Sequence, residues 1–401
     1  MSRLSGGLAV AVDPSLPFSA QTYRARCQAV CDVMAERGLD LLYITSPANL
    51  QYRTGYHANW YPSRLPLGVL IERSTAGMTL FDWSRHQAYA STRVLCDALY
   101  LMDYGTAPQT VAQVIAERGW ARASIGIEWS SPTPVAQITN ALAEALQTGG
   151  AHIRSGDWIV DTVRLYKSTE ELALLRRASA IADAALAAII QEVAIGKTPI
   201  ALSARLTELL VEGGSGYAAM PPLVSAGPTA AFDVHAHPSA RPLEHGDVVG
   251  IDCCATLEGY HVNLARSVLI GGGEHPARGW LEAGEHAVAA LKAAALPSQG
   301  TEFAAAAAER RIRDAVPEEN IWWIGGYSLG IATSPSWVGH TYLANDGPER
   351  CIWADGFVSN FETIFLDPVE GYAAEAIDTV AMIDGRLEVL SSLPRTLINL
   401  P

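Results

Sequence analysis

The chain has 401 residues, 49% of them hydrophobic, which is enough to bury the cores of roughly two or three domains. Its 28 Lys and Arg residues stand against 42 Asp and Glu residues, a formal net charge of −14, and no basic run alternates with aromatic residues. Nucleic acid is therefore excluded as an expected partner.

Membrane insertion and secretion are also disfavoured by the sequence. No apolar stretch reaches the roughly 18 residues that a membrane span requires, and residues 1–18 hold an apolar run too short for a secretion signal. The six cysteines form no CxxC pair, which favours reduced thiols over a disulfide framework. These features predict a cytoplasmic protein with no membrane partner.

The N-terminal part of the chain alternates a helical pattern with short apolar runs. A helix is predicted through residues 27–37, followed by strands at 41–44, 67–71 and 78–81. Strands separated by helices indicate an α/β layer with a mixed sheet. We expect this layer to form one domain over residues 1–163.

A long helix begins just after that layer. The sequence Ser168-Thr169-Glu170-Glu171 is a capping box, and apolar residues follow it at helical spacing. Downstream we predict helices from Pro199 to about 211, at 277–295 and at 303–315, and strands at 247–255, 259–270, 358–366 and 377–390. The pattern predicts an α+β domain over residues 164–401.

Ionisable residues are concentrated in this second half at positions where burial makes an unpaired charge expensive. Asp252 lies inside one predicted strand and Glu362 inside another, and His261 and Asn263 are two residues apart, so they share one face of a strand. His235 and His237 fall in a loop. Asp, His and Glu converging on strands build either a metal site or a general acid/base site.

Short motifs follow one another through the second half in a fixed order: RLYKSTEEL at 164–172, His235, LEHGD at 243–247, Asp252, Asn263, GYSLG at 326–330, Glu362 and DTV at 378–380. In this order they resemble the motifs of the creatinase/aminopeptidase P family, the peptidase M24 or "pita-bread" family. Methionine aminopeptidase, aminopeptidase P, prolidase, creatinase and ectoine hydrolase are members. The resemblance implies a creatinase-type N-terminal α/β domain followed by a pita-bread catalytic domain.

The resemblance also implies a dinuclear metal site, and the chain departs from it. The five family ligands fall here on Asp252, Asn263, Tyr327, Glu362 and Ile377. Asn is a weak neutral ligand, Tyr keeps its proton up to a pKa of about 10, and Ile cannot ligate. We therefore expect no catalytic metal and no cofactor.

An alternative to a metal-free site stays open, because Glu375 and His261 lie two residues from lost ligand positions. They leave room for a rearranged mononuclear metal site.

Loss of the metal with retention of the family histidine is similar to creatinase and ectoine hydrolase, which hydrolyse a C–N bond in a small carboxylate-bearing compound. The segments 259–267 and 330–340 are similar to the ectoine-hydrolase branch, and Ala265 stands where creatinase is expected to carry a glutamate. The resemblance implies a homodimeric, metal-independent hydrolase of a small polar molecule.

A metal-free hydrolase must activate water with a base and protonate its leaving nitrogen with an acid. We assign catalytic roles to His235, Glu362 and Asp252. His235 takes one of the two roles, Glu362 holds the water or donates a proton, and Asp252 orients a partner or binds a cationic nitrogen. The residues expected to bind substrate are Tyr327, Asn263, His261, His340, His237 and Arg64. Arg64 lies near where creatinase-like dimers bring a basic residue into the neighbouring active site, and it can bind a carboxylate.

Two other functions remain open at this point. The same histidine and carboxylates can abstract a proton and eliminate a leaving group, as in the family's dimethylsulfoniopropionate lyases. A non-catalytic binding scaffold is the second alternative, although it has no need of His235, Asp252 and Glu362 together. We further expect Trp322 and Trp323 to lie in a core.

Overall fold

The computed structural model describes residues 16–344 and 350–401, which divide between Arg164 and Leu165 into two compact units. Most of the segment 1–18, from which we predict the absence of a secretion signal, lies outside the described residues. Within the described part, no helix combines the length and the apolar character that a membrane crossing requires.

The N-terminal unit is built on a mixed six-stranded sheet with the strand order β4-β3-β2-β1-β5-β6. Antiparallel pairs join β1, β2 and β3, and parallel pairs join the outer strands. The predicted α/β layer is thus present. In chain order the elements are α1 Ala20–Glu36, β1 Leu41–Ile44, α2 Pro47–Thr54, β2 Gly68–Glu72, β3 Gly77–Trp83, α3 Gln87–Ala90, β4 Ala98–Met102, α4 Ala107–Glu117, β5 Ser124–Ile127, α5 Ala136–Thr148, β6 His152–Ser155 and α6 Ile159–Arg164.

Local chemistry explains where the first helix begins. The structure starts α1 at Ala20, earlier than the predicted residue 27, because the Ser19 hydroxyl accepts a hydrogen bond from the Thr22 N–H at 3.1 Å and caps the helix. Cys27 and Cys31 lie on its buried face, as free thiols. Strand β1 was predicted with its observed bounds, and all four of its residues are buried in the middle of the sheet.

The C-terminal unit pairs a long sheet with a layer of helices, which is the predicted α+β class. Its sheet follows the order β10-β11-β12-β9-β8-β7, with β13 paired to β12 and β14 paired to β9. The elements are α7 Thr169–Glu192, α8 Pro199–Glu212, β7 Leu223–Ala226, α9 Gly227–Ala230, β8 Val248–Leu257, β9 Tyr260–Ile270, α10 Ala277–Ala294, α11 Thr301–Arg313, β10 Ile321–Gly325, β11 Val358–Asp367, β12 Tyr372–Ile383, β13 Arg386–Val389 and β14 Ile398–Leu400.

Two signals in this unit were predicted well. The capping box is formed by Ser168 and Glu171, whose side chain also accepts a hydrogen bond from the Tyr260 hydroxyl and so ties the start of α7 to β9. The hairpin of β8 and β9 turns at Glu258 and Gly259, which both have positive φ, 50° and 79°. Such a turn matches the right-handed twist of paired strands.

Two predictions need correction. Residues 377–390 do not form one strand, because β12 ends at Ile383 and the chain turns back through Asp384 and Gly385 at φ 50° and 70° to form β13. Trp322 is not a core residue, since it is 40% exposed. It lies on β10, which is an edge strand of the sheet formed by the described residues.

Helices α10 and α11 cover one face of the C-terminal sheet, whereas Ala230 of the short helix α9 packs with the opposite face. Helices α10 and α11 form a core with side chains of β11 and β12 that include Phe361, Phe365 and Ala376. Because side chains alternate along a strand, Glu362 and Ile377 point to the opposite face. That opposite face carries the polar residues singled out in the sequence.

Candidate active site

One row of side chains crosses four strands of the C-terminal sheet. Asp252 on β8 is paired with Ala265 on β9, Ala265 with Ile377 on β12, and Ile377 with Glu362 on β11. Paired residues point to the same face of a sheet. The row therefore has a carboxylate at each end and an apolar floor between them, where Ala265 and Ile377 pack with Val234.

The two carboxylates are linked by a chain of amide hydrogen bonds one row further along. Asn360 donates through Nδ2 to Glu362 Oε1 at 2.6 Å and to Asn263 Oδ1 at 3.0 Å. Asn263 then donates through its own Nδ2 to Asp252 Oδ1 at 2.7 Å. Both acids thus receive a donor from a neutral amide, and the amides fix their orientation.

Tyr327 closes this array from the loop that follows β10. Its backbone N–H donates to Asn360 Oδ1 at 2.8 Å, its hydroxyl points to Asn263 Oδ1 at 3.5 Å, and that hydroxyl accepts a hydrogen bond from Trp337 Nε1 at 3.1 Å. Gly326 is required beside it, because a Cβ at that position would overlap the carbonyl oxygen of Asn360.

Burial changes the acidity of both ends of the row. Loss of solvation raises the pKa of Asp252 to about 7, against the opposing hydrogen bond from Asn263. Loss of solvation, and then the negative charge of Asp252, raise the pKa of Glu362 to about 8. The pKa of Asp252 is therefore the lower of the two, so at a pH between about 7 and 8 Asp252 is the more ionised and Glu362 the more protonated, which is the arrangement that acid/base catalysis needs.

A third acid, Glu375, lies on the same face, two residues before Ile377 on β12. The side chain is 4% exposed, and loss of solvation raises its pKa well above the usual value, with further contributions from the charges of Asp252 and Glu362. Its Oε1 lies over Gly250, where an added Cβ would be only 2.6 Å away. The face thus holds three neighbouring carboxyl groups.

Among the described residues, neither loop histidine forms a hydrogen bond with this array. His235 follows Val234, which packs on the apolar floor, but the His235 side chain is 59% exposed. Its Nδ1 is 3.4 Å from Asp233 Oδ1, and its ring lies 5.2 Å from that of Trp322. His237 is exposed in the same loop.

The ring of His261 is held by backbone groups, whereas His340 is placed by its own backbone N–H and by a ring contact. His261 is 2% exposed, accepts at Nε2 from the Ala219 N–H at 3.0 Å, and has Nδ1 2.7 Å from the Gly259 carbonyl. Both of its ring nitrogens are thereby engaged. His340 is half-buried, its N–H donates to Ser328 Oγ at 3.2 Å, and its ring lies 5.9 Å from that of Tyr342.

Arg64 belongs to the N-terminal unit and is exposed there. Its guanidinium carbon lies 5.8 Å from the centre of the Tyr104 ring, an aromatic contact rather than an ion pair.

The ligand positions of a dinuclear metal site do not fit metal binding in this chain. The side-chain amide of Asn263 is already hydrogen-bonded to Asp252 and Asn360. Tyr327 keeps its phenol proton because loss of solvation raises its pKa. Ile377 packs in an apolar cluster. Among the described residues no group of three or more His, Cys, Asp or Glu side chains is arranged to hold a metal ion.

Three side chains of the array were not predicted. Asn360 lies two residues before Glu362 and Thr379 two residues after Ile377, so strand alternation could have identified both. Thr379 Oγ1 accepts from the Asn263 N–H at 2.9 Å. Trp337 lies in a loop, where no periodic signal marks it.

Comparison with known proteins agrees with this architecture. The model of metallopeptidase family M24 matches residues 173–380, slightly more than half of the chain, and that of the creatinase/prolidase N-terminal domain matches residues 26–166. A curated relative, the ectoine hydrolase of Halomonas elongata, is 23% identical over 411 residues, covering 96% of this chain and 99% of the relative.

Solved structures share the fold over nearly the whole chain. A dipeptidase from Pyrococcus horikoshii has a TM-score of 0.80 at 21% identity and covers 94% of this chain and 100% of its own. A prolidase from Thermococcus sibiricus has a TM-score of 0.82 at 20% identity and covers 95% and 100%. The chain therefore belongs to metallopeptidase family M24, with a creatinase-type N-terminal domain ahead of a pita-bread domain.

Proposed function

We propose that the protein is a metal-independent hydrolase that cleaves an amide- or amidine-type C–N bond in a small polar molecule bearing a carboxylate. The observation that carries this proposal is the row from Asp252 to Glu362, in which two acids of unequal pKa flank an apolar floor. The relative from Halomonas elongata, an ectoine hydrolase, makes ectoine the first substrate to assay.

In the proposed first step Asp252 is the general base, because its pKa is the lower of the two. It takes a proton from water as the water oxygen forms a bond to the carbon of the C–N group. The Asn263 amide, which donates to Asp252 Oδ1 at 2.7 Å, keeps the carboxylate oriented for this transfer.

In the second step Glu362 is the general acid. It gives its proton to the leaving nitrogen as the C–N bond breaks, so that water is divided between the two products. Before the first step the negative charge of Asp252 helps to keep Glu362 protonated; once Asp252 has taken its proton this effect is gone, and Glu362 gives up its proton more readily. Proton exchange between the acids then restores the starting state.

Other predicted residues enter the proposal as substrate contacts. Tyr327 and Asn263 border the row and can direct hydrogen bonds to polar substrate atoms. His237, His261 and His340 are kept as weaker candidates.

The proposal also keeps a cytoplasmic homodimer. In it Arg64 of a second copy binds the substrate carboxylate through its guanidinium group.

His235 keeps a supporting role in the proposal. Its ring is exposed, and the residue before it packs on the apolar floor. We assign it the exchange of protons between the site and solvent rather than direct attack.

The test is to incubate the full chain with ectoine in water enriched in ¹⁸O, with and without a strong chelator, and to follow the products by mass spectrometry. Ring opening with one ¹⁸O atom in the product, unaffected by chelator, supports the proposal. The Asp252→Asn and Glu362→Gln variants should lose this activity.

Other outcomes exclude the proposal in distinct ways. Product without ¹⁸O indicates elimination, and activity that disappears with chelator and returns with a divalent metal overturns the metal-free mechanism. Cleavage of Xaa-Pro dipeptides in preference to small amidines moves the protein toward the peptidases of its family. No turnover of either class supports a binding scaffold.

A further inference from the structure

One surface of the N-terminal unit carries four neighbouring rings that the proposed mechanism does not use. Trp83 lies at their centre, with its ring centroid 6.0 Å from that of Trp60, 5.5 Å from that of His86 and 5.3 Å from that of Tyr104. Trp60 is 53% exposed and Tyr104 is 45% exposed. Single exposed apolar side chains are common on proteins, whereas a contiguous exposed group of large rings is typical of a binding surface.

The rings occupy a place in the sheet where α/β folds commonly bind ligands. Trp83 is the last residue of β3, and it is paired in parallel with Met102, the last residue of β4. Tyr104 follows two residues later. The rings thus lie at the carboxyl ends of two parallel strands, and ligands of such sheets bind outside these ends.

A buried hydrogen-bond network holds these rings in place. Asp82 is fully buried, its Oδ1 lies 2.9 Å from His86 Nδ1, and its Oδ2 accepts a hydrogen bond from the Tyr56 hydroxyl at 3.0 Å. The His86 ring then contacts Trp60 edge to face, with ring centroids 5.9 Å apart and an interplanar angle of 87°. Because the rings are fixed from beneath, they lose little conformational freedom when a ligand binds.

Positive charge lies beside the exposed rings. The guanidinium carbon of Arg85 is 5.0 Å from the centre of the Trp83 ring, and that of Arg64 is 5.8 Å from the centre of the Tyr104 ring. Both arginines are exposed, and neither forms an ion pair with a carboxylate of the described residues. The carboxylate of Asp103 accepts a hydrogen bond from a serine hydroxyl at 2.5 Å instead. The surface therefore combines aromatic rings with guanidinium groups that an anion can pair with.

We infer that Trp60, Trp83, Tyr104 and Arg85, which we call the aromatic surface, bind a small planar aromatic carboxylate. The ligand ring stacks on the exposed indole of Trp60, and the ligand carboxylate accepts hydrogen bonds from the Arg85 guanidinium. The inference goes beyond the proposed function and does not depend on it, because none of these four residues takes part in the proposed hydrolysis.

The combination of ring and charge separates this ligand from related molecules. An aliphatic carboxylate lacks the stacking interaction, and a neutral aromatic molecule lacks the ion pair. An aromatic cation is repelled by the charge of Arg85. We therefore expect benzoate to bind most tightly, benzamide and cyclohexanecarboxylate less tightly, and benzylammonium least.

The experiment is a titration of the full chain with benzoate, followed by NMR of the ligand protons, in the wild type and in the variants Trp60→Ala and Arg85→Gln. Cyclohexanecarboxylate keeps the charge without the aromatic ring, and benzamide keeps the ring without the charge, so both are ligand controls. Trp129→Ala and Arg37→Gln replace an exposed Trp and an exposed Arg elsewhere in the same unit and are the protein controls. We expect benzoate binding to weaken about threefold or more in Trp60→Ala and about fivefold or more in Arg85→Gln, and to stay unchanged in both controls.

Absence of benzoate binding by the wild type, or unchanged affinity in Trp60→Ala and Arg85→Gln, overturns the inference. If these variants do not fold, the wild type still decides, because cyclohexanecarboxylate binding as tightly as benzoate overturns it too. A changed oligomeric state of both variants in light scattering, with unchanged affinity for benzoate, assigns the aromatic surface to a protein interface instead. The proposed function fails separately, when the wild type hydrolyses no C–N substrate although benzoate binding still depends on Trp60 and Arg85.

Discussion

Two clusters of buried ionisable groups occupy opposite faces of the same strands. On the helix-covered face, Asp378 accepts hydrogen bonds from Arg266 Nη2 at 2.8 Å and from Arg395 Nη1, and all three side chains are buried. On the site face, the neighbouring residue Ile377 lies between acids that form no ion pair with a Lys or Arg of the described residues. The adjacent residues Ile377 and Asp378 of β12 thus belong to two different environments, one on each face of the sheet.

The two clusters differ in whether their acids form ion pairs with arginine. Arg266 also donates to the carbonyl oxygens of Ala265 and Ile377 at 2.7 and 2.8 Å, so the paired cluster holds β9 and β12 together beneath the site. Unpaired acids on the other face contribute little to folding, because burial disfavours their charge. We conclude that the paired cluster stabilises the fold, and we propose that the unpaired one serves catalysis.

The strongest test of this comparison is Asp378→Asn. Removing one partner of a buried ion pair leaves uncompensated charge, here two buried arginines, and we expect a loss of about 3–5 kcal/mol in the free energy of unfolding. Chemical denaturation of the variant and the wild type measures it. Glu388→Gln is the matched control, since its pair with Arg176 is exposed at 42% and 51% and is expected to contribute about 1 kcal/mol or less. Similar losses in both variants would show that burial of the pair does not matter.

The second test expects the opposite pattern, a loss of activity without a loss of stability. Asp252→Asn and Glu362→Gln should each reduce the rate of hydrolysis by about 10²-fold or more, the usual contribution of a general acid or base. Their free energy of unfolding should stay equal to that of the wild type or rise, since neither substitution breaks an ion pair. Steady-state kinetics and denaturation of the same preparations give both quantities. A variant that loses both activity and stability would place the acid with the structural cluster.

The pH profile of kcat/KM tests which acid of the site face is the general base and which is the general acid. The pKa of Asp252 is raised to about 7, so the base is protonated and inactive below it. The pKa of Glu362 is raised to about 8, so the acid loses its proton above it. We expect a bell-shaped profile that falls about tenfold per pH unit on either side. Asp252→Asn should remove the acidic limb, and an acidic limb that survives in this variant contradicts its role as the base.

Much of the fold could be predicted from local signals. The capping box at Ser168 joins residues three apart in sequence, and strand β1 is marked by its own apolar run, although its partner strands β2 and β5 lie far along the chain. The missed turn at Asp384 and Gly385 carries an Asp-Gly pair, a strong hairpin signal that the apolar run around it concealed. Exposure of Trp322 could not be predicted, because an edge strand is defined by the partner it lacks.

The site was only partly predictable. Family motifs indicated Asp252, Asn263, Tyr327 and Glu362, which the structure gathers in one array. Sequence alone gave no measure of how two acids differ in burial, and that difference sets their pKa values.

The exposure of His235 could not be predicted either, because a motif identifies a position in the sequence and does not say how much solvent surrounds the side chain.

The smallest expected effect is that of His235→Ala, which contrasts an exposed titratable group with the buried ones. Its side chain is 59% exposed, and its nearest charged group is Asp233. Such surface substitutions change stability by only about 0.5 kcal/mol. Because we assign it proton exchange with solvent, the rate should fall by less than about tenfold, below the usual contribution of a direct acid or base. Added imidazole buffer should restore that loss, whereas it should not restore Asp252→Asn. A loss of about 10²-fold or more in His235→Ala would instead make this histidine a primary catalyst, and the exposed loop would then have to close over the row of acids during turnover.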